Sequence, residues 1–200
     1  MVAMVRRNTD AEICIVTGFM HEKIATAISG VTFIYNPFYR VTNSMASLWF
    51  AREHLSSDVL IVNSDVVVEE ALFRKVLEID DDATVLLDSS RTCDADYKVA
   101  VQGARVVMMS KELSTCSGEY AGITKLSSRA ATELGRTIES LVMAERFDEW
   151  YENALVHMVL NDDFVLNYYD VSEFQWTEVD TVDDWLGARR ISEAEKSKDG

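Results

Sequence analysis

"DVLIVNSDVVVEEALFRKVLE" runs from Asp58 to Glu78 and holds the reading that decides the fold. Its first part is a short, β-branched run, apolar until Asn63 and Asp65, and reads as a buried strand. "VEEALFRKVLE" then reads as a helix with its acids near the start, where they complement the helix dipole. The same alternation extends outward in both directions. Upstream, "EICIVTGF" (12–19) is a strand closed by a glycine turn, and "HEKIATAISG" offers Ile24, Ala27 and Ile28 at helical spacing with Gly30 as a stop. "VTFIY" (31–35) is a second strand. After a polar loop, Asn43 can cap a helix carrying Met45, Leu48 and Trp49. Downstream, "ATVLLD" (83–88) is a fourth strand. Strands alternating with helices predict an α/β domain with a mostly parallel central sheet flanked by helices.

Past Asp88 the pattern changes. "DYKVAVQGARVVMMSKEL" reads as two strands around a turn at Gln102-Gly103, and "GEYAGITKL" as another strand. Two helices are expected near 127–144 and 148–161. "FVLNYYDV" and "FQWTEVD" read as late strands, and "TVDDWLGARRI" as a last helix capped by Thr181. With no repeat and no linker, residues 1–200 read as one domain, with 1–10 and 192–200 flexible.

Composition narrows the function classes. Apolar residues make up 48% of the 200, as in a globular protein with a real core. The formal net charge of −15 repels a phosphate backbone, which argues against polymeric nucleic acid as a partner. A small phosphorylated ligand remains compatible if a cation meets it. Cys14, Cys93 and Cys116 match no zinc spacing and read as reduced thiols. There is no apolar run long enough to span a bilayer and no visible signal peptide, so the expectation is a cytoplasmic protein without a membrane partner.

Two features carry chemistry. Ligands of open α/β sheets bind at the carboxyl ends of strands. Asp65 ends one strand, and Asp180 ends another, with Glu178 two residues earlier on the same face. If these ends converge, Asp65 and Asp180 form an oxygen-rich site for Mg²⁺. Otherwise each simply caps the helix that follows. The second feature is the loop Asn36–Ser44, which surrounds Phe38 and Tyr39 with Arg40, Thr42 and Asn43 behind the sole proline, Pro37. It is either a well-tied connection or the wall of a binding site. His21, His54 and His157 form no triad, and no Ser or Cys sits in a nucleophile elbow. The stripe Trp150, Tyr151, Leu155 and Met158 reads as core.

The ordered set "IVTGF", "NPFYRVTNSMASLWFA", "LIVNSDVVVEEALF", "DYKVAV", "SKEL…GEYAGI" and "WTEVDTVDDWLGA" resembles the phosphocholine and aminoalkylphosphonate cytidylyltransferases of the sugar-phosphate nucleotidyltransferase superfamily. The resemblance spans about residues 12–191. It implies a nucleotidyltransferase-like fold of the nucleotide-diphospho-sugar transferase type. It also implies Mg²⁺-dependent transfer of a nucleotidyl group, with pyrophosphate released. The donor would be an NTP, CTP by resemblance, and the acceptor a small phosphorylated or phosphonate amine. By position, Asp65 and Asp180 correspond to the metal-binding aspartates and Glu178 to the acid beside them. Asn36, Tyr39, Asn43 and Ser44 correspond to the loop facing the amino group, and Lys98, Lys111 and Glu119 to the acceptor side.

One departure is large. The family's Gly-rich loop, of Leu-Ala-Ala-Gly-x-Gly-x-Arg-Leu type, and its Lys-Pro-Lys segment do not occur in this sequence. The expectation is an N-terminally truncated version of the fold, with an uncovered sheet edge that favours a homo-oligomer. Two further readings stay open. One is a catalytically inactive homologue or interaction protein that keeps the fold. The other is a glycosyltransferase of related architecture, which would call for an Asp-x-Asp where "NSD" offers one acid.

Overall fold

Short β-branched runs punctuated by Gly, Asn and Asp give this chain short strands, and the periodic segments between them give helices. The computed structural model describes residues 1–92 and 95–198, with side chains as far as residue 195. In chain order the first half contains α1 (Val2–Asn8), β1 (Cys14–Thr17), α2 (His21–Ala27), β2 (Thr32–Tyr35), α3 (Ser44–Phe50), a 3-10 turn (Arg52–His54), β3 (Val59–Val62), β4 (Val66–Val68), α4 (Glu70–Glu78) and β5 (Ala83–Asp88). The second half contains β6 (Lys98–Gln102), β7 (Arg105–Ser110), β8 (Gly118–Leu126), α5 (Ser128–Met143), α6 (Glu152–Asn161), β9 (Asn167–Asp170), β10 (Trp176–Glu178) and α7 (Val182–Lys198). The described part falls into two compact units, Met1–Thr9 with Leu60–Leu126 and the chain from Val165 on, and Asp10–Val59 with Ser127–Phe164.

The first unit is built on a six-stranded sheet of order β3-β8-β5-β9-β7-β6. The sheet is mixed, not mostly parallel. β5 runs parallel to β9 but antiparallel to β8, and β6–β7, β6–β8 and β7–β9 are antiparallel. The reason lies between β5 and β8, where consecutive strands are joined without crossover helices, so that neighbours among them pair antiparallel. The β6–β7 hairpin turns at Gly103, whose φ of 62° suits glycine. β4 and β10 form a separate antiparallel pair.

α4 places Leu72, Phe73 and Val76 on one face, against Val66 and Val68 of β4, Ile123 of β8 and Trp176 of β10. Its C-terminal carbonyls are capped from the sheet: the Lys125 ammonium donates to the carbonyls of Val76, Leu77 and Ile79. The first ten residues, expected to be flexible, contain helix α1. Seven residues do not hold a helix alone, and α1 is held by docking. Met4 and Val5 pack on the core, and Arg7 and Asn8 reach the buried carboxylate of Glu70, which also receives Arg74. At the other end, the tail expected to be flexible from 192 continues α7 to Lys198.

These three donors, Arg7 first, hold the Glu70 carboxyl at about 2, below its usual 4.5. A carboxylate with a lowered folded-state pKa contributes stability that is complete above about 4.5 and lost as the pH falls toward about 2. Urea unfolding of Glu70→Gln should therefore show a loss of roughly 1–2 kcal/mol at pH 7, discounted for the exposure of both arginines, and little loss at pH 2.5. Equal losses at both pH values would sink this account of α1.

In the second unit β1 and β2 are parallel neighbours joined through α2, as the alternation predicts. α3 is capped by Asn43, whose side chain accepts from the Ser44 amide at 2.8 Å. α5 is capped by Ser127 and further tied by Asp58, which accepts from the Ser128 amide. α6 begins at Glu152 and not at 148. The segment before it is drawn into bonds with the start of α3: Asn43 N–H to the Phe147 carbonyl, Met45 N–H to that of Glu149, and Tyr151 N–H to the Ser44 hydroxyl. Cys14 and Cys116 are free thiols, and Cys93 lies outside the described residues. No described helix is long and apolar enough to cross a membrane.

Candidate carboxylate site

Asp65 lies in the turn between β3 and β4 and does not cap a helix, because the "VVV" that follows it is a strand. The turn sits tightly against β8. Asn63 N–H donates to the Gly122 carbonyl at 2.9 Å. Gly122 has φ of 70°, and a Cβ there would come within 2.4 Å of Val66 Cγ2. Only glycine fits that position. β8 accommodates the close approach with a bulge, since Val85 pairs with Thr124 but Leu87 with Tyr120.

The β4–β10 ladder brings the two acidic motifs together. Trp176 pairs with Val68, Thr177 with Val67 and Glu178 with Val66. The pairing continues one step further, with Val179 N–H donating to the Asp65 carbonyl at 3.0 Å. Glu178 is thereby half-buried among like charges. Burial first, then Asp65, Asp180, Asp96 and Glu119, push its carboxyl up from 4.5 to about 7. Asp180 stands just before α7, where Thr181 and Asp184 form a reciprocal cap: the Thr181 hydroxyl accepts from the Asp184 amide and donates to its carboxylate. Thr181, and not Asp180, does the capping at the start of α7.

Asp65 Oδ1 is buried with no hydrogen-bond partner among the described residues. An orphaned carboxylate oxygen beside Glu178 and Asp180 is a hard-donor set that fits Mg²⁺. No group of three or more His, Cys, Asp or Glu among the described residues is arranged to hold a metal alone.

The residues expected on the acceptor side are already engaged. Glu119, buried on β8, accepts from the Asp96 amide at 2.7 Å and from Arg91 at 3.2 Å. Lys98 lies opposite Glu119 across β6–β8 and donates to the Lys111 carbonyl. The Lys111 ammonium is 2.7 Å from the Asp96 carboxylate. Asp96, Asp88, Arg91 and Trp176 border the same acids and were not singled out from the sequence. Only Asp88 carried a signal, as a further acid ending a strand.

The loop residues belong to the second unit, and there the loop is a tied connection. Asn36 is buried, accepts from the Phe38 amide and donates to the Thr42 and Ser47 hydroxyls. Asn43 caps α3 and Ser44 takes the Tyr151 amide. Tyr39 packs on Gly18, where a Cβ would fall 2.3 Å from its own, and its hydroxyl accepts from Arg40. Phe38 is exposed and stacks on Phe50, so it is not core.

Neither any protein-family model nor any curated protein matches the chain. Solved structures do. CTP:phosphocholine cytidylyltransferase from Streptococcus pneumoniae superposes with a TM-score of 0.77 at 16% identity, over 95% of this chain and 82% of its own. Inositol-1-phosphate CTP transferase from T. maritima gives 0.76 at 15% identity, over 96% and 81%. A putative glucose-1-phosphate thymidylyltransferase from Bacillus anthracis gives 0.73 at 17%, over 95% and 79%. The fold is nucleotidyltransferase-like. In it Asp65 stands just before β4 and Glu178 ends β10.

Proposed function

We propose that the protein carries nucleotidyl-transfer chemistry, with Asp65 and Asp180 holding Mg²⁺ and Glu178 as the acid beside them. The observation that supports this most is the β4–β10 register, which sets Glu178 opposite Val66 and ties Asp65 to Val179. A bound Mg²⁺ supplies charge neutralisation of phosphate oxygens. In the transfer, an oxygen of the acceptor phosphate or phosphonate forms a bond to the α-phosphorus of the NTP. The bond to the bridging oxygen breaks, and pyrophosphate leaves with the electron pair. The chain's own part is positioning and electrostatics. Glu119 orders the segment around Asp96, and Lys111 and Lys98 supply positive charge on the acceptor side. CTP as donor and a small phosphorylated or phosphonate amine as acceptor follow from the sequence resemblance. The exposed apolar side chains Phe19, Phe38 and Val41 favour a homo-oligomer.

Calorimetric titration of CTP with and without Mg²⁺ tests the reading. A saturable heat that requires Mg²⁺ and disappears in Asp180→Asn supports it. A heat indifferent to both, or none at all, would leave the fold as that of a non-catalytic homologue or interaction protein.

A further inference from the structure

We infer that Arg91 is a positioning residue, which pins Trp176 and through it strand β10, so that Glu178 and Asp180 are held beside Asp65. The inference rests on those carboxylates being the working groups of the site.

β10 has three residues, and its one strand partner among the described residues, β4, also has three. A two-stranded ladder of that length is not stable on its own. Something else must fix β10, and Trp176 is the anchor. Its ring is buried, and its indole N–H donates to Asp88 Oδ2 at 2.8 Å. Arg91 closes over that anchor. Its guanidinium carbon sits 4.1 Å from the Trp176 ring centroid, and Nη2 donates to the Trp176 carbonyl at 3.2 Å. Nε is 3.2 Å from Asp88 Oδ2, and Nη1 is 3.2 Å from Glu119 Oε2. One side chain thus joins the end of β5, the start of β8 and the start of β10. Trp176 and Glu178 are two apart on a strand, so their side chains leave the same face. A displacement of the first carries the second.

The geometry requires a planar fork. A guanidinium can stack on a ring while its edges donate in three directions, whereas an ammonium cannot. The Arg91 side chain is 40% exposed, so its removal does not open a hole in the core.

The test compares the full chain with Arg91→Met and Arg91→Lys by amide hydrogen exchange. The informative amides are Val179, bonded to the Asp65 carbonyl, and Glu69, bonded to the Gln175 carbonyl. Both variants should speed exchange there by about tenfold, with roughly unchanged rates at the far end of β5–β8, around Thr84 and Lys125, and within β6–β7. Rescue by lysine, uniform acceleration across the unit, or unchanged Val179 and Glu69 would each overturn the inference. Trp176→Phe removes the bond to Asp88 but keeps the packing, and should show the same pattern more weakly. Mn²⁺ binding to the same samples, read by electron paramagnetic resonance, should weaken by about tenfold in both Arg91 variants. If the unaltered chain takes up no Mn²⁺, the carboxylate reading falls, and the exchange pattern alone decides the role of Arg91.

Discussion

Metal-dependent binding of CTP without efficient turnover is the expected result when these 200 residues are incubated with CTP, Mg²⁺ and phosphocholine or 2-aminoethylphosphonate. Nucleotidyl transfer needs the triphosphate held while the acceptor attacks, and a metal on two carboxylates does not hold it alone. In the family that the sequence resembles, a Gly-rich loop and a Lys-Pro-Lys segment offer backbone N–H groups and fixed cations for that purpose. The eight glycines here include no Gly-x-Gly pair, and the one proline lies in the Asn36–Ser44 loop. The cations near the site do not substitute for them. Lys111 is paired with Asp96, and Arg91 with Asp88 and Glu119. A preorganised donor is worth about 3 kcal/mol in the transition state, so losing three removes roughly six powers of ten in rate. The net charge of −15 further disfavours the approach of a polyanion. Pyrophosphate release at a trace rate fits this. Robust multiple turnover would mean that other residues hold the triphosphate.

Local chemistry was legible in the sequence, and long-range partnership was not. The strands expected near 12–17, 31–35, 58–63 and 83–88 are β1, β2, β3 and β5, because apolar runs bounded by Gly, Asn and Asp leave few alternatives. The Asn43 and Thr181 caps were equally readable. The helix read at "VEEALFRKVLE" takes in Val68 and leaves Val66 and Val67 in no element, since three residues show no period, and the strand character of "VVV" comes from β10 far along the chain. The direction of pairing after Asp88 was lost for a similar reason: hairpins and crossovers differ in connection, not in the composition of their strands. α1 exists because of Glu70, a residue that its own sequence does not contain. At the candidate site the acids stood out by their place at strand ends. Arg91, Asp88 and Trp176 did not, because their meaning lies in a contact among three elements.

Replacing Asp65 or Asp180 by Asn should separate function from stability. Mn²⁺ binding, read by electron paramagnetic resonance, should weaken by about a hundredfold or more, since a neutral amide is a far poorer donor to a hard divalent ion. The fold should not suffer. Asp65 Oδ1 accepts no hydrogen bond from any described residue, so the amide forfeits none there. It also relieves repulsion on Glu178. Burial and the neighbouring acids raise that carboxyl from 4.5 to about 7, so the folded state holds a proton which the unfolded state releases. Stability therefore falls as the pH rises from about 4.5 to about 7 and is flat above. The cost at pH 8 is at most ~2 kcal/mol after allowing for solvent screening of a half-exposed group. Asp65→Asn should recover part of it and melt at or above the parent temperature at pH 8, but show no gain at pH 4. The parent, in turn, should melt higher on addition of Mn²⁺, whereas Asp65→Asn should not respond. An Asn variant that melts well below the parent at pH 8 would mean that Asp65 holds the fold together. Undiminished Mn²⁺ affinity would mean that the metal sits elsewhere.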